Sequence, residues 1–136
     1  MAKPSALTSY KSTSVPPYKT REDIEGLLIR VEAQGFRWSN NFKAEILEAA
    51  LHWQGKTLAF RLTVAFDSDK ARAQRLRALY WYLKAKIEAI QFGIVDLEQE
   101  FLPYLLVSGG QTFFEQTTEA GNAPWKQLAA GQEDPR

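Results

Sequence analysis

The sequence predicts an α+β fold, a small antiparallel sheet built from a hairpin over 44–64 plus short strands and packed against a long helix over 68–92 and two shorter helices. Three observations lead to it. Leu58, Phe60, Leu62 and Val64 alternate strictly, the period of a half-buried strand. Gln54-Gly55 before them supplies a two-residue turn that folds 44–53 back as the partner strand. Leu76, Leu79, Leu83, Ile87 and Ile90 then recur at spacings of three and four, the core stripe of a helix.

The hairpin reading rests on its pairs. Closing the turn at Gln54-Gly55 sets Leu51 against Leu58, Ala49 against Phe60 and Leu47 against Leu62, all on one face. The other face pairs Glu48 with Arg61 and His52 with Thr57, so apolar and polar residues separate cleanly. Ala and Glu in 44–53 would also suit a helix, but these pairs decide for a strand.

The remaining elements follow in order. Thr20 is placed to cap a first helix, with Asp23 three residues on. Ile24, Leu27, Leu28 and Val31 form its core stripe, and Gly35 is expected to stop it. Phe36-Arg37-Trp38 reads as a short strand ending at Ser39-Asn40-Asn41. Asp67-Ser68-Asp69 opens the long helix and Gly93 closes it. Asp96, with Gln99 at the capping-box spacing, starts a short helix that turns Leu97, Phe101 and Leu102 inward and ends at Pro103. Leu105-Leu106-Val107 is expected as a short buried strand, Ser108-Gly109-Gly110 as a turn, and Thr112-Phe113-Phe114 as a returning strand.

With 136 residues, 45% of them apolar and 12% aromatic, the chain fits one domain over 20–118 with a real core. Residues 1–19, rich in Ser, Thr, Pro and Lys, read as a flexible basic arm. Residues 119–136 read as a loose C-terminal tail with Trp125 as its large anchor. A net charge of +1 singles out no partner, so any electrostatic argument must rest on where the charges sit. The absence of cysteine excludes disulfides, thiolate metal sites and a Cys nucleophile. No apolar run nears the ~18 residues of a membrane span, and Met1–Pro17 has no signal-peptide core, so no membrane contact and a cytoplasmic location are expected.

Candidate site residues lie on the long helix. At 100° per residue, Arg77, Trp81, Lys84 and Glu88 fall on the side away from the core, and Lys70 and Gln74 extend that stripe. A Trp with a cation one turn to either side offers a stacking ring and phosphate contacts. Arg72, Arg75 and Lys86 lie at the edge of the core stripe, where their long stems can snorkel outward. The set Lys70, Arg72, Arg75, Arg77, Trp81 and Lys84 is therefore the expected nucleic-acid-binding surface, with affinity falling steeply with salt. Two other uses of Trp81 compete: packing beneath the arm or tail, and a dimer interface. Ala78, Ala85 and Ala89, with Tyr82 among them, form a strip of small residues suited either to internal packing or to helix–helix dimerisation and a protein partner.

Catalytic patterns are missing. His52 is a lone histidine, Ser108-Gly109-Gly110-Gln111 lacks the helix and Lys-Ser/Thr of a phosphate loop, and the acidic groups Asp96, Glu98, Glu100 and Glu22, Asp23, Glu25 read as solvated first turns. No enzyme activity, metal or cofactor is expected.

The run from Val15-Pro16-Pro17-Tyr18-Lys19-Thr20-Arg21 through Glu25 resembles the opening of small proteins of bacteriophages and mobile elements that have no assigned activity. The segments Arg75–Leu79, Lys84–Ile90, Gly93-Ile94 and Glu98–Leu102 are similar to theirs as well, so the likeness covers about residues 15–115 and departs at Phe113-Phe114 and the tail. No catalytic or binding residue carries over. What the resemblance implies is context: such proteins often serve replication, recombination or host conflict, which raises nucleic acid as the partner.

Overall fold

A computed structural model describes residues 13–119. Helix α1 (Pro17–Arg30) leads into three strands, β1 (Ala33–Asn40), β2 (Ala44–Trp53) and β3 (Lys56–Ala65). Helix α2 (Asp69–Gln91) follows, then the short α3 (Leu97–Phe101), a 3-10 turn at Leu102–Tyr104 and α4 (Phe113–Glu119). The strands form one antiparallel meander in the order β1-β2-β3, so the α+β class holds. Among the described residues no helix is long and apolar enough to cross a membrane.

The hairpin has the register that its side-chain pairs require: Leu51 lies opposite Leu58, Ala49 opposite Phe60, Leu47 opposite Leu62 and Glu48 opposite Arg61. Its apolar face packs beneath α1 and α2, where Ile24, Leu28, Leu47, Leu76, Leu83 and Ile87 are fully buried. Phe101 brings α3 into this core by stacking on Phe60 with ring centroids 4.7 Å apart. The α2 core stripe is buried along its whole length, from Leu76 to Ile90. Ser68 caps this helix by accepting the Ala71 N–H at 3.1 Å.

Several boundaries differ from expectation. Helix α1 starts at Pro17, whose fixed φ suits the first helical position. Thr20 is therefore buried within the helix rather than capping it, and Asp23 turns to Arg77. The helix ends at Arg30, and the reversal is made at Glu32 (φ 57°), not at Gly35, which lies inside β1 beside a register shift. β1 is a full eight-residue strand. Leu102 begins the 3-10 turn and is 44% exposed, because Pro103 rotates the chain off the helix axis. The strand expected at Thr112-Phe113-Phe114 is instead the start of α4. Thr112 Oγ1 accepts the Glu115 N–H at 3.1 Å while Glu115 Oε1 accepts the Thr112 N–H at 2.8 Å. This is a capping box, and it commits the segment to a helix. The strand pairing that remains at this end consists of two isolated bridges, Phe60 with Leu105 and Leu106 with Thr112. The expected arm and tail lie mostly outside the described residues, as does Trp125; residues 17–19 of that arm belong to α1.

A carboxylate sits inside this core. Glu45, on the helix-facing side of β2, has no exposed side-chain surface. Its Oε1 accepts the Nε–H of Arg72 from α2 at 2.7 Å, and Nη2 of the same guanidinium also contacts it. Its Oε2 has no hydrogen bond among the described residues, but Nη1 of Arg21 from α1 lies 3.7 Å away. One carboxylate thus ties both helices to the sheet. Removing one partner of a buried ion pair leaves the other charges uncompensated. Glu45→Ala is accordingly expected to cost about 3 kcal/mol in urea denaturation; a loss below about 1 kcal/mol would show that the clamp contributes little.

Candidate nucleic-acid interface

The six site residues divide into two groups along α2. At its N-terminal end Lys70 is exposed and has no carboxylate partner among the described residues. Arg75 donates from Nη1 to the Ala65 carbonyl at 2.6 Å and pairs with no carboxylate among the described residues. Arg72 is the core clamp on Glu45, with its guanidinium 5.9 Å from the Phe66 ring centroid.

The second group lies mid-helix, beside α1. Trp81 is 47% exposed. Arg77 and Lys84 stand on either side of it, each 6.0 Å from the ring centroid. Both cations already hold carboxylates. Arg77 donates from Nη1 to Asp23 Oδ2 at 2.9 Å and lies 4.3 Å over the Tyr80 ring, with its side chain only 16% exposed. Lys84 donates to Glu88 at 2.7 Å. Arg77 is thus first a tie between α1 and α2. Its hydrogen bond and charge hold the Asp23 carboxyl below its ordinary 3.8, against the opposing effect of burial. Lys84 lowers Glu88 in the same way.

Lys86 does not snorkel outward. It is buried, donating to the Glu100 carbonyl at 2.9 Å and the Glu100 carboxylate at 3.0 Å. Three rings surround its ammonium: Tyr82 at 4.5 Å, Tyr104 at 5.5 Å and Phe101 at 5.6 Å. That cage holds α3 and the following turn against α2.

Sequence reasoning placed a turn at Ser39-Asn40-Asn41 but passed over the aromatic that follows it. Phe42 there is 98% exposed, with Lys43 exposed beside it. Asn41 Oδ1 fixes the turn by accepting the N–H groups of Lys43 at 2.7 Å and Ala44 at 2.8 Å. A shallow depression of about 230 Å³ joins Asn41 and Phe42 to Phe66, Asp69 and Arg72, and so brings the turn to the N-terminus of α2. The signal available beforehand was an aromatic set between the polar turn residues Asn40-Asn41 and Lys43.

The acidic groups do not converge. Glu98 pairs with Lys56, Glu100 with Lys86, Asp23 with Arg77, and Glu25 accepts the Trp38 indole N–H. Among the described residues no group of three His, Cys, Asp or Glu could hold a metal ion. His52 is exposed with its Nδ1 3.4 Å from Thr57 Oγ1. No family model, no curated protein and no solved structure matches the chain.

The lowered carboxylates carry a pH signature. Arg37 and Arg61 also hold Glu48 below its ordinary 4.5. A depressed carboxyl contributes stability above its unfolded value and loses it as pH falls through the folded value. Stability is expected to decline from about pH 4.5 downward, and Asp23→Asn to flatten part of that decline. Urea midpoints between pH 3 and 7 measure this, and an unchanged profile in Asp23→Asn would contradict it.

Proposed function

We propose that the chain is a non-enzymatic nucleic-acid-binding accessory protein of a bacteriophage or mobile element. Single-stranded nucleic acid would lie along α2. The observation that carries the reading is the half-exposed Trp81 between Arg77 and Lys84, on a helix whose N-terminal end bears Lys70 and Arg75 and meets Phe42. Lys70 and Trp81 are eleven residues apart, about 16 Å along the axis. The context comes from the resemblance of residues 15–115 to proteins of mobile elements.

The charge pairing changes the expected energetics. Arg77 and Lys84 are neutralised by Asp23 and Glu88, so stacking on Trp81 leads and phosphate attraction is secondary. Lys70 and Arg75 supply about two phosphate contacts, for which log K against log salt has a slope of about −1.4 on a single strand. Raising salt from 50 to 200 mM then weakens binding about sevenfold, a shallower response than the residue list alone suggests. Fluorescence anisotropy with a labelled oligonucleotide tests this. Trp81→Ala is expected to weaken binding about tenfold or more, and Lys70→Ala/Arg75→Ala to flatten the salt dependence. Absence of binding at 50 mM salt, or wild-type affinity in Trp81→Ala, sinks the reading. Arg77→Ala is a poor probe, because it also opens the α1–α2 contact.

A second reading has its own observation. Ala85 is exposed, and Tyr82 is 43% exposed, Phe92 82% and Ile94 74%, on or just beyond the C-terminal half of α2. An apolar face of this kind suits a homodimer or protein partner formed through the long helix. Sedimentation at low and high salt separates the readings. A dimer insensitive to salt, broken by Ala85→Glu, favours association; a monomer at all concentrations removes the homodimer.

A further inference from the structure

A cleft of about 480 Å³ lies away from the α2 stripe, against the β3 edge of the sheet. Arg61 and Thr63 line it from the strand, Pro103 and Tyr104 from the 3-10 turn, and Thr112, Phe114 and Glu115 from the start of α4. Its volume falls in the range of small-molecule sites.

The polar groups of the cleft are held in place before any ligand arrives. Arg61 donates from Nε and Nη2 to Glu48 Oε2 at 3.1 and 3.0 Å, and from Nη1 to the Gly110 carbonyl at 3.0 Å. Three of the five guanidinium N–H groups are thereby used, and the plane of the group is fixed. The Glu115 carboxylate stands 3.9 Å from Nη1, beyond hydrogen-bond reach, and is anchored by the Thr112 N–H. A fixed donor thus sits beside a fixed acceptor. Thr63 adds a further polar residue to the lining, and the Tyr104 phenol, pushed up to about 12 by burial and by its contact with Tyr82, stays neutral. Pro103, Tyr104 and the half-exposed Phe114 provide flat apolar walls.

Charge decides the class of ligand. Arg37 and Arg61 are balanced by Glu48 and Glu115, so an anion drawn to Arg61 is repelled by Glu115. A purely apolar ligand would cover the remaining Arg61 N–H groups and the Glu115 carboxylate without replacing their hydrogen bonds to water. A neutral planar ring with a donor and an acceptor on one edge satisfies both and stacks on Phe114. We propose that this cleft binds a neutral heteroaromatic base, presented either as a free nucleoside or as an unpaired base of a strand. The inference does not depend on binding along α2.

Saturation-transfer NMR and calorimetry on the full chain test it, with adenosine, guanosine and uridine as neutral probes, adenosine monophosphate as the same base carrying charge, and benzoate as an anionic ring. At least one nucleoside is expected to bind saturably, with the monophosphate no tighter and benzoate much weaker. Phe114→Ala is expected to reduce nucleoside affinity about tenfold. Glu115→Gln is expected to shift preference toward the monophosphate. Should Phe114→Ala fail to fold, Thr63→Gln fills the cleft from an exposed strand position and must lower affinity as well. Displacement of adenosine by an oligonucleotide assigns the base to a strand; its absence assigns it to a free nucleoside. Nucleoside binding unaffected in Trp81→Ala separates this cleft from the α2 surface. Absence of binding by all three nucleosides, equal binding of benzoate, or unchanged affinity in a folded Phe114→Ala or Thr63→Gln overturns the proposal.

Discussion

Glu45 is the polar residue around which the layers are arranged. It occupies a helix-facing position of β2, where the alternation otherwise places Leu47, Ala49 and Leu51, and it has no exposed side-chain surface. A buried carboxylate is tolerated only with cations brought to it. Arg72 comes from the first turn of α2 and Arg21 from α1, so both helices have an electrostatic reason to lie at one azimuth over the sheet. The leucine stripes supply the greater part of the burial, but apolar surfaces can slide; a charge that must be met fixes direction and position.

That constraint shapes the candidate interface. Arg72 is spent on the core, and the helix orientation it sets brings Arg77 against Asp23 and leaves Trp81 at the α1 border. Cations that look like a continuous basic stripe on a helical wheel are therefore unequal. Some are ties within the domain, and Lys70 and Arg75 keep a charge that no carboxylate of the described residues meets. The same logic holds for Lys86, whose ammonium is enclosed by Tyr82, Phe101 and Tyr104 and joins α3 to α2. On the sheet's other face Glu48 bridges Arg37 and Arg61, which immobilises the guanidinium that lines the cleft.

Much of the architecture was legible in the chain. The hairpin register followed from Leu51, Ala49 and Leu47 facing Leu58, Phe60 and Leu62, because a shift by one residue would turn the whole apolar set to water. The α2 stripe followed from spacing alone. The errors fell where a local signal had two meanings. Thr112-Phe113-Phe114 has strand-forming residues, but Thr112 and Glu115 also have the spacing of a capping box, and the reciprocal hydrogen bonds prevailed. Thr20 looked like a cap, but Pro17 had already begun the helix three residues earlier.

The sequence by itself determined the class of fold, the pairing of the hairpin and the faces that had to be buried, because these depend on periodicities of two and 3.6 residues and on nearest neighbours. It placed Trp81 on the outward side of α2. Only the tertiary structure decided which cations are available, since Arg77 finds Asp23 and Arg72 finds Glu45 across gaps of 54 and 27 residues. Such partners are set by how the layers stack, and no spacing along one helix encodes them. The Arg61 cleft belongs to the same class: it is assembled from segments distant in the chain, and its chemistry exists only once the sheet and helices are in place.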